Sequence, residues 1–317
     1  MKQNKMMAFI ESNIMPIAGR IGSQRHLIAI RDGFIAIMPL IIIGSLAILV
    51  NNFPIPAFQN FMTGLFGEGW TAVGGAIWNG SFALLSLLAV AAVSFKLAES
   101  YHTDGLSAAL IGVGAFAVLT PTTEDFGFSM TWLGAQGLFV GLIVALLSTE
   151  VFRLFSKNEK LKIKMPEGVP DGVTKSLNAL LPAAVILSTA GLCNALIVHF
   201  SGQSIHELVF STIQGLSNTV GSALIFTFLN HLLWFFGLHG TNILGPIMES
   251  VYLPLIQENQ HLFSQGMSAF EVPYIVTKPF FDSYVFMGGS GTTLALLAAI
   301  LIAVKSKHYK TIGKVSL

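Results

Sequence analysis

GFIAIMPLIIIGSLAILV, residues 33–50, runs without a single Asp, Glu, Lys or Arg. About 20 such residues, rising about 1.5 Å each, cross about 30 Å of bilayer hydrocarbon. Charge-free stretches of similar length recur at residues 75–95, 105–120, 131–149, 177–200, 219–238 and 283–304. The stretch at 105–120 is short. Its Gly and Ala content suits close helix packing, since small residues let backbones approach. Composition agrees: 53% of the 317 residues are hydrophobic and 10% are charged. A soluble chain carries about 25% charged residues to cover a wet surface. With lipid as solvent that cover is unnecessary. The reading is an all-α, polytopic membrane protein.

Other classes are excluded or unsupported. The 17 basic residues are balanced by 16 acidic ones, which argues against a nucleic-acid partner. Cys193 is the one cysteine, so no disulfide framework and no CxxC metal pair exists within the chain. It reads as a small buried apolar residue. Residues 1–31 mix charged and apolar residues, unlike a signal peptide.

Basic residues set the expected orientation, because they prefer the cytoplasm. Lys2, Lys5, Arg20, Arg25 and Arg31 precede the first span; Arg153, Lys157, Lys160, Lys162 and Lys164 follow the fourth. Four crossings return the chain to its starting side, so both clusters lie together, and the N-terminus is expected in the cytoplasm. For Lys305, Lys307, Lys310 and Lys314 to lie there too, one more crossing is needed between His239 and Pro279. The candidate is 241–256, a poor membrane segment with Pro246, Glu249 and Pro254, expected to face protein or water. The expected total is about eight crossings. Phe9, Ile10, Ile14, Ile17 and Ile21 recur at helical spacing before the first span and predict an interfacial amphipathic helix. The hydrophilic stretch 156–175 reads as a loop between helices and a candidate boundary between halves. The expected domains are 1–206, a helical bundle, and 207–317, a substrate-binding half with broken helices.

Two segments carry most of the polar chemistry. HLLWFFGLHGTNILGP (231–246) places His231, Trp234, His239 and Asn242 where two spans meet, with glycines that let the backbone bend. A broken helix at membrane depth exposes backbone groups to a polar ligand. Histidine is the usual residue for proton transfer near neutral pH, so His239 is a candidate to take a proton from a hydroxyl; the plainer alternative is a buried ring bonded to a helix carbonyl. KPFFDSYVFMGGSGTTL (278–294) carries Asp282 at the entrance to a span, and Gly288, Gly289 and Gly291 within it. Such a run suits a re-entrant turn lining a cavity, or Gly-mediated helix packing. It is not a nucleotide-binding loop, because the lysine follows no glycine loop. Asn79-Gly80 and Gln136-Gly137 are weaker candidates: amides that hold hydroxylated ligands, or interhelical hydrogen bonds. No metal site or cofactor is expected; His231 and His239 sit about 80° apart on a helical wheel, with no third ligand nearby.

At these motifs the sequence resembles the membrane-embedded IIC subunit of bacterial phosphoenolpyruvate-dependent sugar phosphotransferase systems, in the lactose, cellobiose and diacetylchitobiose branch. The matching text is WFFGLHGTNILGPIM (234–248), KPFFDSYVFMGGSGTTLALL (278–297) and ESNIMPIAGRIGSQRHLIAIRDGFIAIMPLIIIGS (11–45). The resemblance implies a homodimer in the bacterial plasma membrane that binds a disaccharide. A cytoplasmic IIB protein, charged by IIA and carrying a phosphocysteine, then phosphorylates the sugar's C6 hydroxyl. The family's histidine beside that hydroxyl matches His239, as an acceptor or base that orients it. Phosphoryl transfer depends mainly on positioning and electrostatics, so that role suffices. The resemblance further implies a second hairpin with an Asn-Glu-Pro segment, and Asn-Glu-Pro does not occur here. On that basis the chain is expected to be a truncated product or a fragment with an incomplete sugar site. The alternative function is an ion-coupled transporter using Asp282 or Glu249.

Overall fold

The computed structural model describes residues 12, 15–123, 127–166, 168–236, 239–287, 289–291, 293–304, 306 and 311. The helices are α1 (Met15–Gly22), α2 (Arg25–Asn51), α3 (Pro56–Phe66), α4 (Thr71–Asn79), α5 (Leu85–Ser100) and α6 (Gly105–Leu119). They continue with α7 (Leu138–Lys157), α8 (Asp171–Ser201), α9 (Ile205–Ser217), α10 (Val220–Phe235), α11 (Gly240–Ser264) and α12 (Thr293–Ala303). Among the described residues there is no strand, only an isolated bridge between Thr122 and Phe128. The chain forms two compact units, one of Arg25–Thr212 and one of Met1–Gln24 with Ile213–Leu317.

Four helical stretches are long and apolar enough to cross a membrane: Arg25–Asn51, Glu68–Ser100, Ala135–Lys157 and Asp171–Ser201. The pair α9 and α10, bent by 84°, makes a fifth if counted as one span. α2 shows the arithmetic of such a helix. Ile35, Ile42, Leu46 and Leu49 are 50–54% exposed, while Ala29, Ile30, Gly33, Ile37 and Gly44 are buried. In water that outward apolar stripe would cost about 25 cal/mol for each Å² left exposed. In hydrocarbon the cost vanishes, and the smaller residues turn inward because close packing holds spans together. Gly33 shows how close: a β-carbon there would lie 2.7 Å from Val93 Cγ2 and 3.0 Å from the Val93 backbone nitrogen on α5.

In the Arg25–Thr212 unit, α5 is central, packing on α2, α6 and α7, while α8 packs on α6 and α7. Val90, Val93, Phe116, Val140 and Ala145 form its core. At the end where α2 begins and α5 ends, Glu150 gathers a polar cluster. It lies 3.0 Å from His26 Nε2 and 2.7 Å from Arg153 Nε, and it accepts a hydrogen bond from the Tyr101 hydroxyl. The guanidinium groups of Arg25 and Arg153 lie over the Tyr101 ring at 5.1 and 4.8 Å. Burial, followed by the hydrogen bond to Glu150, pushes the Tyr101 phenol above its ordinary range.

Several expectations meet the structure differently. Cys193 is exposed on α8, not buried; Leu192 and Leu196 beside it are also exposed, on a helix that turns apolar surface outward. Among the described residues of the span expected at 283–304, the α-helix covers Thr293–Ala303. Ahead of it come one π-type turn, Phe281–Val285, and Gly289 at φ 107°, a left-handed conformation that suits glycine. The weak segment 241–256 lies inside one 25-residue helix, α11, which carries both Pro246 and Pro254. Phe9, Ile10, Ile14, Gly288, Lys305, Lys307, Lys310 and Lys314 fall outside the described residues.

Candidate functional site

In the unit containing Ile213–Leu317, the chain leaves α10 at Phe235 and enters α11 at Gly240. Four polar groups meet at this break. His239 Nδ1 lies 3.1 Å from Thr241 Oγ1, and Thr241 Oγ1 donates to Ser290 Oγ at 2.9 Å. The Ser290 carbonyl accepts from Asn230 Nδ2 at 2.7 Å, tying the glycine-rich turn to the middle of α10. The Trp234 ring lies 4.5 Å from the His239 ring, tilted by 49°. The imidazole tautomer sets which of His239 Nδ1 and Thr241 Oγ1 donates in this contact.

Close backbone approach makes the arrangement possible. A β-carbon on Gly240 would lie 2.3 Å from Asn230 Oδ1 and 2.5 Å from the Asn230 carbonyl oxygen. One on Gly291 would meet the Trp234 ring at 3.1–3.3 Å. Among the described residues, Asn230 Oδ1 and Trp234 Nε1 are buried without a hydrogen-bond partner. Such groups are rare in proteins, and a bound polar molecule or water is a usual explanation.

A charged cluster lies in the same unit. Lys278 Nζ contacts both carboxylate oxygens of Asp282 at 2.7 and 2.8 Å, and lies 3.7 Å from Glu249 Oε1 on α11. Lys278 and Asp282 are four residues apart, one helical turn, so the pair follows from spacing. Asp282 is thus occupied by an ammonium. Two amides brace the approach to this turn. Asn218 Nδ2 donates to the Pro273 carbonyl while its Oδ1 accepts from Ile275 N and Val276 N. Asn259 exchanges hydrogen bonds with the Tyr274 backbone in both directions.

The structure brings Trp234 and His239 together, with Ser290 from the glycine motif. His231 is turned to its own helix, its Nδ1 donating to the Thr227 carbonyl at 2.7 Å. That is the contact with a helix carbonyl weighed above for a histidine, here made by the neighbouring one. Gly289 lies in the turn before Ser290, and the Asn242 side chain is outside the described residues. Asn79 and Gly80, at the exposed end of α4, and Gln136 and Gly137, in the turn before α7, belong to the Arg25–Thr212 unit. Sequence reasoning passed over Asn230, Thr241 and Ser290 as side chains. Asn230 had a signal: an amide in a mostly apolar span needs a partner, and the structure buries it completely.

The fold and the break define a helical membrane protein with an imidazole–hydroxyl–amide cluster at a helix interruption. The family model described as phosphotransferase system, EIIC, matches residues 31–317, and the chain belongs to that family of membrane permeases. The lichenan permease IIC component of Bacillus subtilis (strain 168) is 37% identical over 331 residues, covering 99% of this chain and 72% of the relative. The cellobiose-specific EIIC component of Geobacillus stearothermophilus is 36% identical over 332 residues, covering 99% and 73%. The crystal structure of the transporter ChbC, the IIC component of the N,N'-diacetylchitobiose-specific system, superposes with a TM-score of 0.82 at 35% identity, covering 97% of this chain and 74% of that one.

Proposed function

We propose that this protein is a sugar permease subunit that binds a disaccharide and presents its C6 hydroxyl to a cytoplasmic IIB partner carrying the phosphoryl group. The observation that carries the reading is the His239–Thr241–Ser290 chain beside the Trp234 face. An aromatic face suits the apolar side of a pyranose ring. An imidazole held through Nδ1 suits a hydroxyl that must lose its proton as phosphorus arrives. His239 orients that hydroxyl and accepts its hydrogen bond, and it carries no phosphoryl group itself. Trp234, Asn242, Gly288 and Gly289 are assigned to the sugar, and the unpartnered Asn230 Oδ1 and Trp234 Nε1 support a polar guest.

The same reading has about eight crossings, a cytoplasmic N-terminus and a homodimer through the N-terminal helices. The basic clusters support the orientation, and the names of the relatives, which include lichenan, cellobiose and lactose, support the sugar class. The competing reading, ion-coupled transport through Asp282 or Glu249, is disfavoured by Lys278, which sits between the two carboxylates as their counter-ion.

Uptake into vesicles carrying the protein should require phosphorylated IIB and deliver sugar phosphate. His239→Ala should lose at least tenfold in phosphorylation while keeping sugar binding. Uptake that follows an ion gradient and ignores the phosphoryl donor would overturn the proposal.

A further inference from the structure

A groove runs along the α7–α8 seam, wholly within the Arg25–Thr212 unit. Its volume is about 280 Å³, and its walls are almost entirely apolar. On α7 it follows Val140, Val144, Leu147 and Val151; on α8 it follows Ile186, Ala190 and Cys193. The eleven steps along α7 from Val140 to Val151, at about 1.5 Å each, make a run of about 16 Å, close to half of a ~30 Å hydrocarbon layer. The groove therefore has the length of one leaflet.

A second cavity, about 200 Å³, continues the same seam. The stripe on α7 passes from Leu147 and Val151 to Phe155, and that on α8 from Ile186 to Pro182, Asn178 and Lys175. These steps of three and four residues keep to one helix face. Along this path the chemistry changes from apolar to basic. Lys162 and Lys175 line the mouth with His102, and Asp104 is the carboxylate among its lining residues. The Asp104 carboxylate accepts a hydrogen bond from Ser107. Lys162 pairs with Glu159, itself 82% exposed to solvent. The surrounding segment adds Lys157, Lys160 and Lys164, so that five lysines stand against Glu159, Glu167 and Asp171.

We propose that the α7–α8 seam binds one anionic phospholipid, with an acyl chain in the groove and its phosphate at Lys162 and Lys175. A groove of leaflet length, open sideways on a membrane helix bundle and ending in ammonium groups where the polar loop begins, matches such a lipid in both shape and charge. A second copy of the chain fits less well. A two-fold contact across this seam would bring two basic mouths toward each other. The inference does not depend on the sugar site or on which side of the membrane the mouth lies.

The test combines lipid retention and photochemical mapping on the protein in nanodiscs of mixed phosphatidylglycerol and phosphatidylcholine. Native mass spectrometry should find one phosphatidylglycerol retained per chain, at least fivefold over phosphatidylcholine. K162Q/K175Q, two water-facing changes, should abolish that preference, and Ala190→Trp should displace the lipid. Phosphatidylglycerol with a mid-chain diazirine should label residues 140–151 and 185–193. Equal retention of the two lipids, an unchanged preference in K162Q/K175Q, or photolabel spread evenly over the outer helices would overturn the proposal. So would a dimer broken by Ala190→Trp with lipid retention intact, because the groove would then hold a second copy.

Discussion

Replacing Gly240 by Ala tests whether close packing at the helix break positions His239. The added β-carbon would lie 2.5 Å from the Asn230 carbonyl oxygen and 2.3 Å from its side-chain oxygen. Carbon contacts are comfortable at about 3.5 Å, so the new methyl is roughly 1 Å too close to a backbone that is itself inside a helix. Overpacking of this kind costs about 1–3 kcal/mol. Gly240 is the first residue of α11, where Ala gains little over Gly, so the net loss should stay at about 1–3 kcal/mol, relieved by moving the start of α11 away from α10. His239 is the preceding residue, and a displacement of about 1 Å at a reacting group can cost about 100-fold in rate. Sugar phosphorylation by IIB should therefore fall far more than stability does. Gly245→Ala is the matched control, because it lies on the same helix with nothing within 4 Å of its β-carbon. It should be neutral or slightly stabilising in a detergent unfolding assay. Phosphorylation by Gly240→Ala at the wild-type rate would refute the argument that this contact holds the histidine in place.

Asn230→Leu removes the hydrogen bond to the Ser290 carbonyl and leaves that oxygen to find another partner. A loss of about 1–3 kcal/mol is expected in thermal unfolding, with weaker sugar binding. Gly33→Leu should separate α2 from α5, since even a β-carbon meets the Val93 backbone at 3.0 Å; protease susceptibility of the bundle should rise. Tyr101 gives a pH prediction. Its folded-state pKa is raised, so its contribution to stability is complete below the ordinary phenol range and fades as pH climbs through the raised value. Absorbance titration should show a late tyrosinate component that Tyr101→Phe removes.

Four of the expected spans, those at 33–50, 75–95, 131–149 and 177–200, were legible because solvent selects them: a run such as 33–50 without charge has few alternatives to a bilayer. The interruption of the last span was legible too, since Gly288, Gly289 and Gly291 mark a place where a helix gains little by continuing. What the sequence hid were relations across distance. Asn230 and Ser290 are 60 residues apart, and nothing local in either segment says that an amide on α10 grips the glycine turn. The pairing of Lys278 with Asp282 follows from one helical turn, but its approach to Glu249 depends on how α11 packs. Cys193 was misjudged for a related reason. Free cysteine is usually buried in soluble proteins, and that habit does not carry over to a helix whose outer face meets lipid.

The central claim is that the break around His239 and the turn at Ser290 line a water-filled chamber that holds the sugar. Its most direct test is aqueous thiol labelling of Thr241→Cys and Ser290→Cys, each in a Cys193→Ser background. Both should react with a charged, membrane-impermeant thiol reagent, and cellobiose or another bound disaccharide should slow the reaction severalfold. Unreactive thiols, or modification at the same rate with and without every disaccharide tried, would contradict it.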